Sequence, residues 1–133
     1  MGADSGAVSG FYAGFYRGTA PIDAYGNGGF RFAGMSHRGS ILCLGDGVHA
    51  WDIVPDAVPS HALLAPILAR LASPQFLLLG TGRRQVFPPA DVVRSFHDAG
   101  IGIDTMDTGA ACRTYNILLA EKRPVTAALM AVA

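Results

Sequence analysis

Two short loops hold the residues of this sequence best suited to chemistry. Gly80-Thr81-Gly82-Arg83-Arg84-Gln85 follows an apolar run, and Asp107-Thr108-Gly109 leads into a helical pattern that carries Arg113 and Asn116. Free N–H groups and the dipole at a helix start attract anions. Gly109, Ala110 and Ala111 are small, so a ligand can approach that backbone closely. Thr81, Gly82, Arg83, Thr108, Gly109, Arg113 and Asn116 thus form a candidate binding set for a small anion or a phosphorylated metabolite. The same residues have a plain structural use. Arg113 can tie loop carbonyls or Asp107, Asn116 can cap a turn, and Thr81 can satisfy its own backbone. Both readings stand at this point.

Other chemistries fit less well. Gly80-Thr81-Gly82 opens like a dinucleotide fingerprint, and Asp104 falls about 20 residues on, where a ribose-binding acid sits. The last glycine of that motif is replaced by Gln85, and Pro88-Pro89 delays the helix. Cys112 is the thiol near this edge, one turn into its helix, where Arg113 and the dipole would lower its pKa. It shares an apolar face with Tyr115 and Leu119, which favours a core role. The four histidines, His37, His49, His61 and His97, fall in separate elements, and no acid pair has a spacing for hydrolysis. No catalytic residue, metal ligand set or cofactor motif is assigned. Two cysteines, Cys43 and Cys112, give neither a disulfide framework nor a zinc pattern and suit a reducing compartment.

The elements that must position these loops follow from periodicity. Phe76–Leu79 is a short apolar run between Pro74 and Gly80, as in a parallel strand buried on both faces. Parallel neighbours need crossovers, usually helical. Pro88-Pro89 opens one, with Val92, Val93 and Phe96 inward and Gly100 as its stop. Ile101–Met106 is the next strand. Asp107 or Thr108 caps the last helix, whose inner face holds Ala111, Cys112, Tyr115, Leu118 and Leu119. Val125–Ala128 is the closing strand. Upstream, Ile22–Trp51 reads as short strands. Phe30-Arg31-Phe32 alternates, and Ser40–Leu44 and Val48–Trp51 flank Gly45-Asp46-Gly47 as a hairpin. His49 and Trp51 fall on one side of their strand, read as surface packing. Pro55 and Pro59 precede a helix with the stripe Leu63, Leu64, Ile67, Leu68 and Leu71, in which Pro66 predicts a late start or a bend. Phe11, Tyr12, Phe15 and Tyr16 have the spacing of a short helical turn in a loose arm over residues 1–20. The expected fold is a three-layer α/β domain over residues 21–133. Its mixed central sheet has a C-terminal β-α-β-α-β half and an N-terminal β-hairpin portion.

The chain of 133 residues has ten basic and ten acidic side chains, so it lacks the basic footprint of nucleic-acid binders. Half its residues are apolar and 15% are charged, enough for a substantial core. No apolar run reaches the ~20 residues that span a membrane. The amino end lacks a secretory pattern, and Gly6 replaces the Ser or Thr of a myristoylation signal.

The motifs Leu79-Gly80-Thr81-Gly82-Arg83-Arg84-Gln85, Phe87-Pro88-Pro89, Gly100-Ile101-Gly102 and Met106–Asn116 together resemble the Mth-domain family. Gly28-Gly29-Phe30-Arg31-Phe32 looks like its early strand, and the likeness covers residues 20–133. This is a family of uncharacterised bacterial and archaeal proteins. It includes the mitochondrial NADH dehydrogenase (complex I) assembly factor 3 and the adipogenesis-associated Mth-domain protein. The resemblance implies a three-layer α/β fold, no established enzyme activity and no known cofactor. For the mitochondrial branch it implies complex I assembly through protein partners. The sequence expectation is therefore a non-enzymatic interaction protein, an assembly factor for a respiratory complex. Its alternative is the anion-binding module or enzyme at the Gly80–Arg113 edge. With no Arg-rich transit segment in view, a bacterial cytoplasmic protein is expected over a mitochondrial one. Oligomeric state is left open.

Overall fold

Apolar runs with side chains alternating between two faces build the centre of this domain. The computed structural model describes residues 14–54, 57–71 and 75–133. Strands β1 (Phe15–Arg17), β2 (Ile22–Gly26), β3 (Gly29–Phe32), β4 (Met35–Arg38), β5 (Ser40–Leu44) and β6 (Gly47–Trp51) come first. Helix α1 (His61–Leu68), strand β7 (Gln75–Gly80), helix α2 (Ala90–Asp98), strand β8 (Ile101–Met106), helix α3 (Thr108–Ala120) and strand β9 (Thr126–Leu129) follow. Six strands form one mixed sheet in the order β1-β6-β5-β9-β7-β8, and β2-β3-β4 form a small antiparallel sheet. Strand β7 is parallel to both β8 and β9, while β5 joins β9 antiparallel.

Each central strand feeds two cores. Ile41, Cys43, Leu78, Ala127 and Leu129 pack with α3 and the small sheet, through Cys112, Tyr115, Phe30 and Phe32. Leu42, Leu44, Leu77, Leu79, Ala128 and Met130 pack with α1 and α2, through Leu64, Ile67, Val92 and Phe96. The result is three layers, with α1 and α2 on one side and α3 plus the small sheet on the other. The crossovers explain this arrangement. The chain steps from β7 to β8 through α2, then returns past β7 to β9 through α3. Two right-handed crossovers in opposite directions put their helices on opposite faces.

The expected fold class is observed, with local corrections. Phe15 and Tyr16 form β1, paired with β6, instead of a helical turn. Pairing with the open edge of β6 satisfies their backbone, and alternation turns Tyr16 inward onto Phe32 while Phe15 stacks on His49 at 4.7 Å. Trp51 is buried among the α1–α2 core instead of lying on the surface. Val93 is 38% exposed, because it sits about 100° around α2 from Val92 and about 60° from Phe96, at the margin of the buried face. Helix α1 starts at His61, capped by Ser60, and runs through Pro66, whose exposed position avoids the core. Leu71 lies beyond it. Pro89 is the N-cap of α2, one position earlier than the first helical residue. Strand β9 begins at Thr126, one residue late. Phe11, Tyr12, Pro55 and Pro74 lie outside the described residues.

Candidate functional site

The loops after β7 and β8 leave the sheet side by side and turn toward opposite faces, the arrangement that opens a crevice in many α/β proteins. Here the crevice is laced shut. The Thr81 N–H donates to the Met106 carbonyl at 2.9 Å. The Thr81 hydroxyl donates to the Arg84 carbonyl at 2.6 Å and accepts from the Val86 N–H at 2.9 Å. Gly82 donates its N–H to Thr108 Oγ1 and accepts the Thr108 N–H on its carbonyl, both at 2.8 Å. Gly82 has φ +92°, a conformation that favours glycine. Thr108 Oγ1 in turn donates to the Met130 carbonyl at 2.7 Å, and the Met130 N–H reaches the Gly80 carbonyl at 2.9 Å. Gln85 Nε2 donates to the Thr105 carbonyl at 2.8 Å. Thr108 is fully buried and Thr81 nearly so.

The start of α3 is likewise occupied. Thr108 N–H is bound by Gly82, Ala110 N–H by Asp107 Oδ1 at 2.9 Å, and Ala111 N–H by the Asp107 carbonyl. Gly109 lies under Tyr25 of the small sheet, whose hydroxyl fills the space where a Cβ would stand. Asn116 grips the start of β2: its Oδ1 accepts from the Ile22 N–H and its Nδ2 donates to the Ile22 carbonyl, both at 2.8 Å. It serves Ile22 as a neighbouring strand would. Arg113 is exposed in a depression of about 380 Å³ that it shares with Tyr25, Gly109 and Asn116. Arg83 lies elsewhere, in a depression of about 610 Å³ with Thr81, Arg84, Val58 and Val86. The seven sequence-selected residues thus fall into three places. Thr81, Gly82 and Thr108 are knit together, Arg83 stands in one depression, and Gly109, Arg113 and Asn116 border another.

The thiols are core groups. Burial pushes Cys112 up to about 12, against the weaker pull of Arg113, and pushes Cys43 to about 12. Cys43 is hydrogen-bonded to Tyr115, whose hydroxyl is driven higher still by burial. At the opposite edge Asp46 Oδ1 meets His49 Nε2 at 2.8 Å, which holds the Asp46 carboxyl below its usual range. Among the described residues no three His, Cys, Asp or Glu side chains gather as a metal site. Sequence reasoning missed the small sheet as the cover of α3, since Tyr25 and Ile22 lie far from Gly109 and Asn116 along the chain. It also missed the depression beside Arg83; its signal was Val86-Phe87, apolar yet outside any periodic element.

A mixed six-stranded sheet, two helices on one face, and a third helix with a three-stranded sheet on the other make up an Mth-type α/β domain. The chain belongs to the family described as "Protein of unknown function (DUF498/DUF598)", whose profile matches residues 22–130. Among solved structures, an outer membrane protein from Bartonella henselae is similar with a TM-score of 0.79 and 46% identity, over 89% of this chain and 99% of that one. A Bordetella pertussis protein described as a Mth938-like domain has a TM-score of 0.70 and 32% identity, over 84% of this chain and 85% of that one. The NADH dehydrogenase [ubiquinone] 1 alpha subcomplex assembly factor 3 of Danio rerio is 33% identical over 111 residues. That match spans 82% of this chain and 63% of the relative's length. The Mth-domain family that contains complex I assembly factor 3 is therefore the family of this chain. No helix among the described residues is long and apolar enough to cross a membrane.

Proposed function

We propose that this chain is a non-enzymatic interaction protein that assists assembly of a respiratory complex, complex I in the first instance, from the bacterial cytoplasm. The observation that carries this reading is the commitment of the sheet edge. The hydroxyls of Thr81 and Thr108, the Gly82 backbone and the Asn116 amide all direct their hydrogen bonds into the protein. Groups spent on internal bonds are costly to redirect toward a substrate. The relatives named as assembly factors support the same reading. It calls for protein partners and for no cofactor, metal or nucleic acid. A tagged full-length chain is expected to co-purify with respiratory subunits in stoichiometric amount, and a deletion strain to accumulate partly built complex I on native gels. Normal complex I in the deletion strain, with no stoichiometric partner, would remove the proposal.

The small-anion reading keeps one observation in its favour, the two exposed arginines Arg83 and Arg84 beside Thr81. It predicts a rise in melting temperature with inorganic phosphate or phosphorylated metabolites that Arg83→Ala abolishes. A flat response removes it.

A further inference from the structure

The depression beside Arg83 combines two features that no internal role explains. Its lining joins the apolar Ala57, Val58, Val86, Val132 and Ala133 to Thr81 and two arginines, and Val58 is 68% exposed. The adjoining Phe87 is exposed to the same extent. Large exposed apolar side chains gathered in one place mark interaction surfaces. Arg83 and Arg84 stand at the same depression, both exposed, and among the described residues neither guanidinium makes a hydrogen bond or ion pair. No carboxylate side chain lines the depression among the described residues. The arginines are carried on a fixed loop, because Thr81 Oγ1 holds the Arg84 carbonyl and Gln85 holds Thr105. A preorganised loop loses less freedom on binding.

We propose that this depression is the docking surface for a partner protein, and that the segment it takes presents apolar side chains flanked by carboxylates. This rests on the assembly reading and names its surface and partner chemistry. Charge complementarity argues for the acidic flanks: two exposed guanidinium groups at a rim steer and orient a negative segment. The valines argue for the apolar part, since arginine with large apolar groups is the usual make-up of an interface core. A free phosphate would leave the valine walls uncovered, and the hydroxyl closest to it, on Thr81, already donates to Arg84.

The experiment places a photo-crosslinking amino acid at Val86 of the full chain and, as a control, at Ile117, an exposed residue of α3 on the other face. Both chains are irradiated in extract of cells that carry the protein, and the linked segments are sequenced by mass spectrometry. The expected result is an adduct at Val86 to a segment with Asp or Glu beside apolar residues. Its yield should fall about tenfold or more in the Arg83→Glu/Arg84→Glu chain and persist in Arg83→Lys/Arg84→Lys. Both double variants should fold, since the side chains they replace are exposed; circular dichroism checks this. An adduct that survives charge reversal, a linked segment without carboxylates, a second copy of this chain, or capture at Ile117 alone overturns this surface and leaves the assembly reading standing. Capture at neither position overturns both.

Discussion

Thr108 joins backbone groups that belong to three different segments. Its hydroxyl accepts from Gly82 after β7 and donates to Met130 after β9, while the residue itself opens α3. Valine has the same shape without the hydroxyl, so Thr108→Val leaves a buried N–H and a buried carbonyl unpaired. Each orphan costs ~1–3 kcal/mol, so a loss of roughly 2–4 kcal/mol is expected in urea unfolding at neutral pH. A loss below about 0.5 kcal/mol would mean that water reaches the edge and that the lacing is weak. This residue was read in the sequence as a ligand contact or a cap, and its hydroxyl ties two loop segments together. Nothing in the local sequence could reveal that, because both partners arrive from other strands. Asn116 is a similar case: its type announced a polar role, but its partner Ile22 lies at the other end of the domain. Cys112 was legible, since its spacing with Tyr115 places it on the apolar face. Accordingly, neither Cys43 nor Cys112 should react with a maleimide in the native protein, and both should react in denaturant. Rapid native labelling of Cys112 would revive a redox role.

Among the elements, the contact between α3 and β7 depends on Gly80. A Cβ there would meet Ala111 Cβ, Leu129 Cδ2 and the Thr108 Cα, each at 3.1 Å. One of those neighbours is backbone at the first turn of a helix and cannot swing aside. Gly80→Ala should therefore destabilise by ~1–3 kcal/mol through overpacking, read as a lower urea midpoint with unchanged slope. An unchanged midpoint would show that α3 lifts freely from the sheet. The strands were legible where local pattern and pairing agree, as in β3 and the β5–β6 hairpin, whose turn residues lie between two apolar runs. Strand β1 was not, because two pairs of aromatics spaced by four suit a helical turn equally, and only the distant edge of β6 selects the extended form. That pairing bears on the domain limits. A chain starting at residue 21 is expected to fold, with a loss on the order of 1–2 kcal/mol from the bared edge of β6. Failure to fold would make β1 an integral part of the domain.

For the molecule as a whole, layer count and class could be read from the order of strands and helices, but the direction of the second crossover could not. Both directions use the same α3 sequence pattern. The choice to return past β7 is made by the pairing of β9 with β5, a contact across the full length of the domain. That return places Cys112 and Tyr115 of α3 over Cys43 of β5, so three ionisable groups share one buried cluster. Burial raises both thiols from 9.0 to about 12 and raises the tyrosine as well. In the unfolded chain the thiols release their protons near pH 9.0, whereas in the folded chain they keep them to about pH 12. Between those limits the native state binds more protons, so stability must fall as pH rises. Their contribution is complete below pH 9 and declines by about 1.4 kcal/mol per pH unit for each buried thiol above it. Urea unfolding at successive pH values should thus show no decline from these groups below pH 9 and a steep one beyond it. Cys112→Ala should make that alkaline slope shallower by about one thiol's share, even though the substitution lowers stability at neutral pH. An identical slope in the variant would mean that Cys112 ionises in the folded protein as readily as in the unfolded chain, and that α3 does not seal this face of the sheet.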